Sequence, residues 1–229
     1  MVVTLISLDG VPGAGKSKLL REIEHILKNT NTQYTNNQLR KIICLQEPVD
    51  EWSKLKDATG ETLFNKYYKN QKRYALAFQL QVLHTRFELL EKTITSNPNA
   101  IIITERDIVS DCHIFTQMLF DNGMFEEIEF KLYKQLFYDY YARLQKLCPE
   151  TAYRIYLTTS AEKCYERMQK RGRVEEKDVP LDYLKQVEKY HRRAFSQTTN
   201  ILHIDGDADW EENELPANIA EQIRMFINI

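Results

Sequence analysis

The sequence has few of the residues that mark disordered or disulfide-rich proteins. Its 229 residues include seven glycines, six prolines and four cysteines. So little glycine and proline argues against a disordered chain, and a hydrophobic fraction of 43% is enough to fill a core. The cysteines lie far apart without a C-x-x-C pair. We therefore expect reduced intracellular thiols rather than a zinc site or a disulfide framework.

Long apolar runs and excess charge are also missing. No run approaches the roughly 20 residues that span a bilayer, and a net charge of −2 argues against non-specific binding to nucleic acid. A strand pattern begins at about residue 2, which leaves no room for a signal or transit peptide. We expect a cytoplasmic protein that binds neither membranes nor nucleic acid. No linker, repeat or low-complexity segment divides the chain, so we predict a single domain over residues 1–229.

What the sequence does contain is a complete phosphate-binding loop of the form G-x-x-x-x-G-K-[ST]. It follows an apolar run at residues 2–8 and precedes a helical pattern with one apolar face. In that context backbone N–H groups and the helix dipole bind phosphate, the lysine reaches the outer phosphates and the serine hydroxyl binds Mg²⁺. The residues predicted to bind a nucleoside triphosphate are Gly10, Val11, Pro12, Gly13, Ala14, Gly15, Lys16 and Ser17.

The rest of the chain alternates strand and helix patterns, which is typical of an α/β fold with a parallel sheet and helices on both faces. Short apolar runs predict strands at about residues 40–46, 100–104, 153–157 and 200–204. Apolar periodicity predicts helices at about residues 63–96, 126–147, 181–196 and 217–227. Ser160 is predicted to cap a further helix, and the polar residues 29–37 are predicted to form a loop.

Charged residues follow two predicted strands directly. Glu47 comes after the second strand and precedes Pro48, which disfavours helical geometry for the residue before it. Glu105 and Arg106 follow the third strand. Because open α/β sheets bind ligands at the carboxyl ends of their strands, Glu47 is either a solvated loop acid or a carboxylate of the site. Glu105 has the position of an acid that helps to hold Mg²⁺.

Two of the predicted helices carry unusual faces. Gln79, Val82 and Arg86 share one stripe of the helix at 63–96. This stripe is either a solvent-facing edge or the wall of a pocket that hydrogen-bonds a flat heterocycle. The aromatic stripe of the helix at 126–147 is predicted to be core or subunit contact.

Three arginines surround Gly172, namely Arg167, Arg171 and Arg173. A run of charges is usually a solvated face. Guanidinium groups opposite a phosphate loop can instead hold a phosphoryl group during its transfer, and we favour that interpretation.

Taken in order, these motifs resemble the deoxyribonucleoside kinases. After the phosphate loop come Glu47-Pro48-Val49…Trp52, Arg73…Phe78-Gln79, Glu105-Arg106 with Asp111, and Arg167…Arg171-Gly172-Arg173…Glu176. The resemblance covers nearly the whole chain. It implies a P-loop kinase fold with about five parallel strands and an arginine-rich lid at about residues 167–176. It also implies transfer of the γ-phosphate of ATP to the 5′-hydroxyl of a deoxynucleoside, with Mg²⁺, in a homodimer.

The resemblance further implies roles for single residues in catalysis. Glu47 matches the general base, and Arg106 matches the arginine that pairs with it and binds the 5′-oxygen. Ser17 and Glu105 match the residues at Mg²⁺. The residues that match the phosphate-binding lysine, the lid arginines and the loop that packs on the ATP adenine are Lys16, Arg167, Arg171, Arg173, Asp205, Gly206 and Asp207.

Other matching residues imply an acceptor pocket. Gln79 matches the residue that hydrogen-bonds the base, and Tyr68 and Glu176 match the pair that holds the sugar 3′-hydroxyl. Trp52 and Phe115 resemble pocket wall, and Tyr67 and Val82 add bulk to it. An Arg86–Asp111 pair resembles the deoxycytidine and deoxyguanosine kinases. It occupies the space that a thymine methyl needs, so deoxycytidine and deoxypurine nucleosides are expected as substrates ahead of thymidine.

Two other functions remain possible on sequence grounds. A nucleoside monophosphate kinase of the thymidylate-kinase type shares the phosphate loop and an arginine-rich lid, but it has no need of a Glu-Pro-Val base. A GTP-dependent switch or other non-enzymatic nucleotide-binding module reads guanine through N-K-x-D. The single Asn-Lys of this chain, at residue 65, is followed by Tyr67-Tyr68, so that motif is absent.

Overall fold

Five parallel strands form the central sheet of the protein. The computed structural model describes residues 3–29, 34–35, 38–149, 153–173, 176, 179–211 and 214–227. In chain order the strands are β1 (Thr4–Asp9), β2 (Tyr34–Thr35), β3 (Gln38–Leu39), β4 (Ile42–Leu45), β5 (Ile101–Glu105), β6 (Tyr153–Thr158) and β7 (Ile201–Asp205). The sheet order is β4-β5-β1-β6-β7, and β2 and β3 pair separately as an antiparallel ribbon.

Helices cover both faces of this sheet. They are α1 (Lys16–Asn29), α2 (Val49–Trp52), α3 (Leu63–Lys69), α4 (Gln71–Ser96), α5 (Ile108–Ser110), α6 (Gln117–Asp121), α7 (Glu127–Leu147), α8 (Ala161–Arg171), α9 (Leu181–Phe195) and α10 (Ala217–Ile227). A π-helical turn, Asp111–Thr116, joins α5 to α6. Among the residues that the structure describes, no helix combines the length and the apolar character needed to cross a bilayer.

The inner strands β1 and β5 are buried along their whole length, which explains why they appear in the sequence as largely apolar runs. Side chains alternate across a strand, so Ile101 and Ile103 pack into one core with α1, α8, α9 and α10. Ile102 packs into a second core with α4 and α7. The predicted α/β architecture with five parallel strands is confirmed.

The helix predicted over residues 63–96 is in fact two helices. Asn70 interrupts it with φ −151° and ψ 81°. The Asn70 side chain accepts a hydrogen bond from the Arg73 N–H, and its own N–H donates to the Lys66 carbonyl. An asparagine that caps one helix and closes the previous one competes with continuous helix. Apolar periodicity runs through the break without revealing it.

The polar segment at residues 29–37 is not wholly a loop. It includes the last residue of α1 and the strand β2, which pairs with β3. Strands of two residues are too short for a period-two pattern to appear in the sequence. Residues 30–33 and 36–37 of this segment, and residue 2 of the first predicted strand, lie outside the described residues.

The predicted cap at Ser160 is confirmed. The Ser160 hydroxyl accepts from the Lys163 N–H at the start of α8. Gly172 ends α8 in the left-handed conformation with φ 66°, which glycine adopts without steric cost. The helix therefore stops at Gly172, between Arg171 and Arg173.

Candidate active site

The site lies at the carboxyl edge of the sheet, where β1, β4 and β5 end. The phosphate loop connects β1 to α1 and has Gly13 at φ 87° and Gly15 at φ 101°. A Cβ on Gly13 would lie 2.4 Å from the Cys164 carbonyl oxygen, so α8 packs directly on this part of the loop. The loop therefore has the tight backbone that presents N–H groups to a phosphate.

Lys16 is buried at the base of this loop, with 4% of its surface exposed. Its Nζ donates to the carbonyl oxygens of Gly10 and Val11, each at 3.1 Å, and lies 4.0 Å from Glu105 Oε1. Burial, followed by the charge of Arg106, lowers the pKa of Lys16 to about 8. The lysine is thus held against the loop by weak neutral acceptors, which incoming phosphate oxygens can replace.

Ser17 and Glu105 form a polar pair next to Lys16. The Ser17 hydroxyl donates to Glu105 Oε2 at 2.8 Å. Among the described residues, no group of three or more His, Cys, Asp or Glu side chains could hold a metal by itself. One carboxylate with one hydroxyl at a phosphate site is instead the kind of incomplete ligand set that Mg²⁺ accepts, since it takes further oxygens from phosphates and water.

Arg106 links the ends of three strands. Its backbone has φ 60°, which is uncommon for a residue other than glycine and concentrates at functional sites. Arg106 itself follows β5. Its Nη1 lies 2.9 Å from Oε1 of Glu47, a residue that follows β4, and its Nη2 donates at 3.1 Å to the carbonyl of Gly10, a residue that follows β1. The guanidinium also lies over the Phe115 ring, 4.8 Å from its centroid.

Glu47 is ionised because of these neighbours. Burial alone would raise its pKa, but the charges of Arg106, Arg86 and Lys16 outweigh burial and lower the pKa to about 2. Its side chain remains 17% exposed. Glu47 is therefore a fixed carboxylate that faces open space, and the solvated loop acid that the sequence left possible is ruled out.

Arg86 lies on α4 and is 3% exposed. Its Nε is 2.6 Å from Asp111 Oδ2, Nη1 donates to the Glu105 carbonyl at 2.9 Å, and Nη2 contacts Glu47 Oε1. Asp111, 2% exposed, begins the π-helical turn, a rare geometry that is frequent at functional sites. The predicted Arg86–Asp111 pair is present, and the stripe of α4 that carries it is buried.

Two adjoining cavities meet at Glu47 and Arg106. We call the first the phosphate cleft. It measures about 370 Å³, and its lining includes Gly13, Lys16, Ser17, Glu105, Arg171 and Arg173. We call the second the aromatic chamber. It measures about 90 Å³, and its lining includes Trp52, Tyr67, Tyr68, Gln79, Val82, Arg86, Asp111, Phe115 and Glu176. Glu47 and Arg106 line both cavities, so a ligand in each would meet there.

The wall of the aromatic chamber is built around Phe78. Tyr67 stacks on it with centroids 4.6 Å apart, Phe64 stacks at 5.3 Å and Trp52 meets it edge-on at 5.7 Å. Gln79 is 4% exposed, and its Oε1 accepts from Thr116 at 3.3 Å. Aromatic faces beside one amide and one ion pair suit a flat polar ring.

The three arginines predicted to form a lid divide into two groups. Arg171 Nη2 donates to Glu176 Oε2 at 2.5 Å, and Arg173 Nη1 donates to Glu176 Oε1 at 3.4 Å. These three residues line the phosphate cleft. Residues 174–175 of the predicted lid lie outside the described residues.

Arg167 instead ties the phosphate loop to the segment after β7. Its Nη1 donates to the carbonyls of Ala14 at 3.1 Å and Gly206 at 2.8 Å, and its Nη2 lies 2.6 Å from Asp209 Oδ1. Asp207, one of the residues predicted to lie against adenine, accepts from the N–H of Ser160, the N-cap residue of α8, at 2.8 Å.

Sequence reasoning missed several residues of the site. Phe64 and Tyr183 line the aromatic chamber. The density of aromatic residues between 64 and 78 was an available signal for Phe64. Below the site, Arg154 pairs with Asp9 at 2.8 Å and with Asp107 at 2.9 Å. An arginine inside the apolar strand β6 was the signal for this buried network.

Comparison with known proteins matches residues 6–228 to the deoxynucleoside kinase family. A protein of Invertebrate iridescent virus 3 that is named as a kinase is 31% identical over 210 residues, covering 92% of each chain. Deoxycytidine kinase 2 of Gallus gallus is 27% identical over 243 residues, covering 97% of this chain and 89% of that protein. Thymidine kinase 2, mitochondrial, of Homo sapiens is 28% identical over 190 residues, covering 80% and 68%.

Proposed function

The chain belongs to the deoxynucleoside kinase family, and from this premise we propose that it phosphorylates the 5′-hydroxyl of deoxyribonucleosides with ATP and Mg²⁺. The family establishes a kinase that transfers a phosphoryl group from a nucleotide donor to a nucleoside. The choice of ATP, the metal, the preferred base and the residue roles are our proposal.

One observation carries the proposal: Glu47 and Arg106 stand where the phosphate cleft opens into the aromatic chamber. A donor held by the phosphate loop and a nucleoside held among aromatic rings would bring the γ-phosphorus and the 5′-oxygen together at this junction. Phosphoryl transfer depends mainly on positioning and on stabilising charge. A carboxylate and a guanidinium at the junction meet both needs.

In the proposed mechanism, Glu47 accepts a hydrogen bond, and then the proton, from the 5′-hydroxyl as its oxygen attacks phosphorus. Arg106 holds Glu47 and donates to the attacking oxygen. Lys16 moves from the loop carbonyls to the outer phosphates, and Arg171 and Arg173 stabilise the negative charge of the phosphoryl group in transfer. Arg167 keeps the phosphate loop against the segment after β7 and so acts on the donor side.

Mg²⁺ fits the pair formed by Ser17 and Glu105. Their oxygens are 2.8 Å apart beside the phosphate loop, and hard oxygen ligands of this kind suit Mg²⁺. When bound, the ion would neutralise charge on the donor phosphates. Asp205, Gly206 and Asp207 would lie against the adenine of ATP.

For the base we propose deoxycytidine and deoxypurine nucleosides ahead of thymidine. Arg86 and Asp111 present a donor and an acceptor to a polar base edge, and they occupy the space that a thymine methyl would need. Gln79 would hydrogen-bond the base, and Tyr68 with Glu176 would hold the 3′-hydroxyl. A site built to hydrogen-bond its substrate rejects analogues that lack the matching group.

We also propose a cytoplasmic homodimer. None of the four cysteines forms a disulfide, which suits a reducing compartment. Helix α7 exposes Ile128, Leu132 and Tyr138, at 70%, 46% and 57%, and such a face is suited to a subunit contact.

A substrate panel tests the proposal. Deoxycytidine, deoxyadenosine, deoxyguanosine and thymidine are compared as acceptors, with ATP and with UTP as donors, and deoxynucleoside monophosphates are included as competing acceptors. We expect deoxycytidine or a deoxypurine nucleoside to give the highest kcat/KM. Thymidine as best substrate would overturn the base preference, and a preferred monophosphate would identify a monophosphate kinase. Basal ATP hydrolysis unaffected by any nucleoside would indicate a nucleotide-binding module.

A further inference from the structure

Arg86 contacts Glu47 as well as Asp111, and recognition of the nucleobase does not require the Glu47 contact. Its three guanidinium nitrogens reach three different groups: Nε reaches Asp111, Nη1 the Glu105 carbonyl and Nη2 Glu47. Two of these three groups are nearly inaccessible to solvent, because the Asp111 side chain is 3% exposed and Glu105 is 5% exposed. The planar guanidinium is therefore held rigidly, and it spans from the base-recognising end of the chamber to the reactive end.

The contacts of Glu47 are unevenly divided between its two oxygens. Arg86 Nη2 and Arg106 Nη1 both contact Oε1. In the described part of the chain, no group hydrogen-bonds Oε2. Because the side chain is 17% exposed and lines both cavities, the two arginines fix one oxygen and leave the other for an incoming hydroxyl.

We propose that Arg86 is a positioning residue for the general base: anchored by Asp111 and by the Glu105 carbonyl, it holds Glu47 Oε1 so that Oε2 faces the 5′-hydroxyl. This inference rests on the proposed function, because it takes Glu47 as the general base. It adds a role that recognition of the nucleobase does not need. If Arg86 only recognised the nucleobase, its loss would change KM for particular nucleosides. If it positions Glu47, its loss lowers kcat for every nucleoside.

A double-mutant cycle separates the two roles. The proteins are wild type, Glu47→Gln, the pair Arg86→Gln with Asp111→Asn, and the triple variant. The paired change is used because removing Arg86 alone would leave the Asp111 carboxylate buried without its ion-pair partner. Each protein is assayed with all four deoxynucleosides at saturating ATP and Mg²⁺, and its thermal midpoint is recorded.

We expect the paired variant to lower kcat at least about tenfold with all four deoxynucleosides. A misplaced Glu47 carboxylate would lose its contact with the 5′-hydroxyl in the transition state. In the Glu47→Gln background the same pair should lower kcat no further, because its effect passes through Glu47. Retention of kcat with changes in KM alone, or full multiplication of the two losses, would overturn the inference.

Arg86→Lys keeps the cycle decisive if the paired variant does not fold. It retains the charge beside Asp111, but one ammonium group cannot reproduce the planar fork that spans Asp111 and Glu47, so kcat should again fall for all four nucleosides. The role of Glu47 as general base is tested separately. Normal turnover in Glu47→Gln would refute the proposed function, whereas a slow Glu47→Gln with normal turnover in the Arg86 variants would refute only this inference.

Discussion

Glu47 is the carboxylate of the site that two buried arginines, Arg86 and Arg106, contact together. Two arginines and Lys16 keep its pKa near 2 against the effect of burial. A carboxylate with so low a pKa is a weak base in bulk terms. In the proposed mechanism its contribution would come from the direction of its free oxygen, since position dominates the barrier to phosphoryl transfer.

Replacing Glu47 by Gln should lower kcat at least about a hundredfold while nucleoside binding is largely kept, because the amide retains the shape but cannot accept the proton. Steady-state kinetics measure kcat, and titration calorimetry measures nucleoside binding. Glu51→Gln is the matched control, since Glu51 is an exposed acid of α2 paired with Lys54, and it should behave as wild type. Near-normal turnover in Glu47→Gln would refute the base role.

Arg86→Met combined with Asp111→Ala should shift preference toward thymidine. The change removes a charged pair and opens space where the thymine methyl would lie. Preference is measured as the ratio of kcat/KM for thymidine to that for deoxycytidine, so a loss of turnover common to both substrates cancels. An unchanged ratio would mean that these side chains do not recognise the base.

At the scale of elements, the phosphate loop depends on how closely α8 approaches it. Gly13 has φ 87°, and an added Cβ would lie 2.4 Å from the Cys164 carbonyl and 2.8 Å from Met168. The first contact is with backbone and cannot be relieved by a side-chain rotation. The loop would have to move away from α8, and its N–H groups would move with it.

Gly13→Ala should therefore weaken binding of ATP with Mg²⁺ at least about tenfold and lower the thermal midpoint, through positive-φ strain and the steric conflict together. Gly60→Ala is the control. Gly60 has φ 84°, but nothing lies within 4 Å of the added Cβ, so it should cost only about 1 kcal/mol of backbone strain and leave ATP binding unchanged. Equal ATP affinity in the two variants would contradict the proposed loop geometry.

Most elements could be predicted because their causes are local. β5 opens with three consecutive isoleucines, and β6 is apolar apart from Arg154 and Thr158. The serine cap and the left-handed glycine mark the two ends of α8. The break at Asn70 was missed because the same asparagine pattern occurs on helix surfaces. Only its backbone angles distinguish a cap from a surface residue.

At the scale of the whole molecule, we expect His191 to make the free energy of unfolding depend on pH. It is fully buried, its ring lies parallel to Tyr156 at 5.7 Å, and its Nδ1 is 2.8 Å from the Val187 carbonyl. Burial lowers its pKa to about 3. The unfolded chain, with an ordinary histidine pKa near 6.5, therefore binds this proton at a higher pH than the folded chain does.

Because the folded pKa is depressed, the stability tied to His191 is present above about pH 6.5 and is lost as pH falls toward 3. Between pH 7.5 and pH 5 the free energy of unfolding should fall by about 2 kcal/mol more in wild type than in His191→Gln, measured by urea denaturation. His84→Gln is the control, since the His84 side chain is 54% exposed, and it should keep the wild-type dependence. A wild-type dependence in His191→Gln would exclude His191 as its source.

The sequence by itself determined the fold class, the phosphate loop and the membership of a nucleoside kinase family, because these depend on local patterns: strand runs, one glycine-rich loop and short motifs in a given order. Long-range pairing decided the rest. Only the folded chain brings Arg86 of α4 and Arg106, which follows β5, to the same carboxylate oxygen of Glu47, which follows β4. Only the folded chain separates Arg167 from Arg171 and Arg173, which the sequence places within seven residues. Spacing along a chain does not show which charged side chains come together once the strands are ordered as β4-β5-β1-β6-β7. We propose that the reaction takes place where these charged side chains come together.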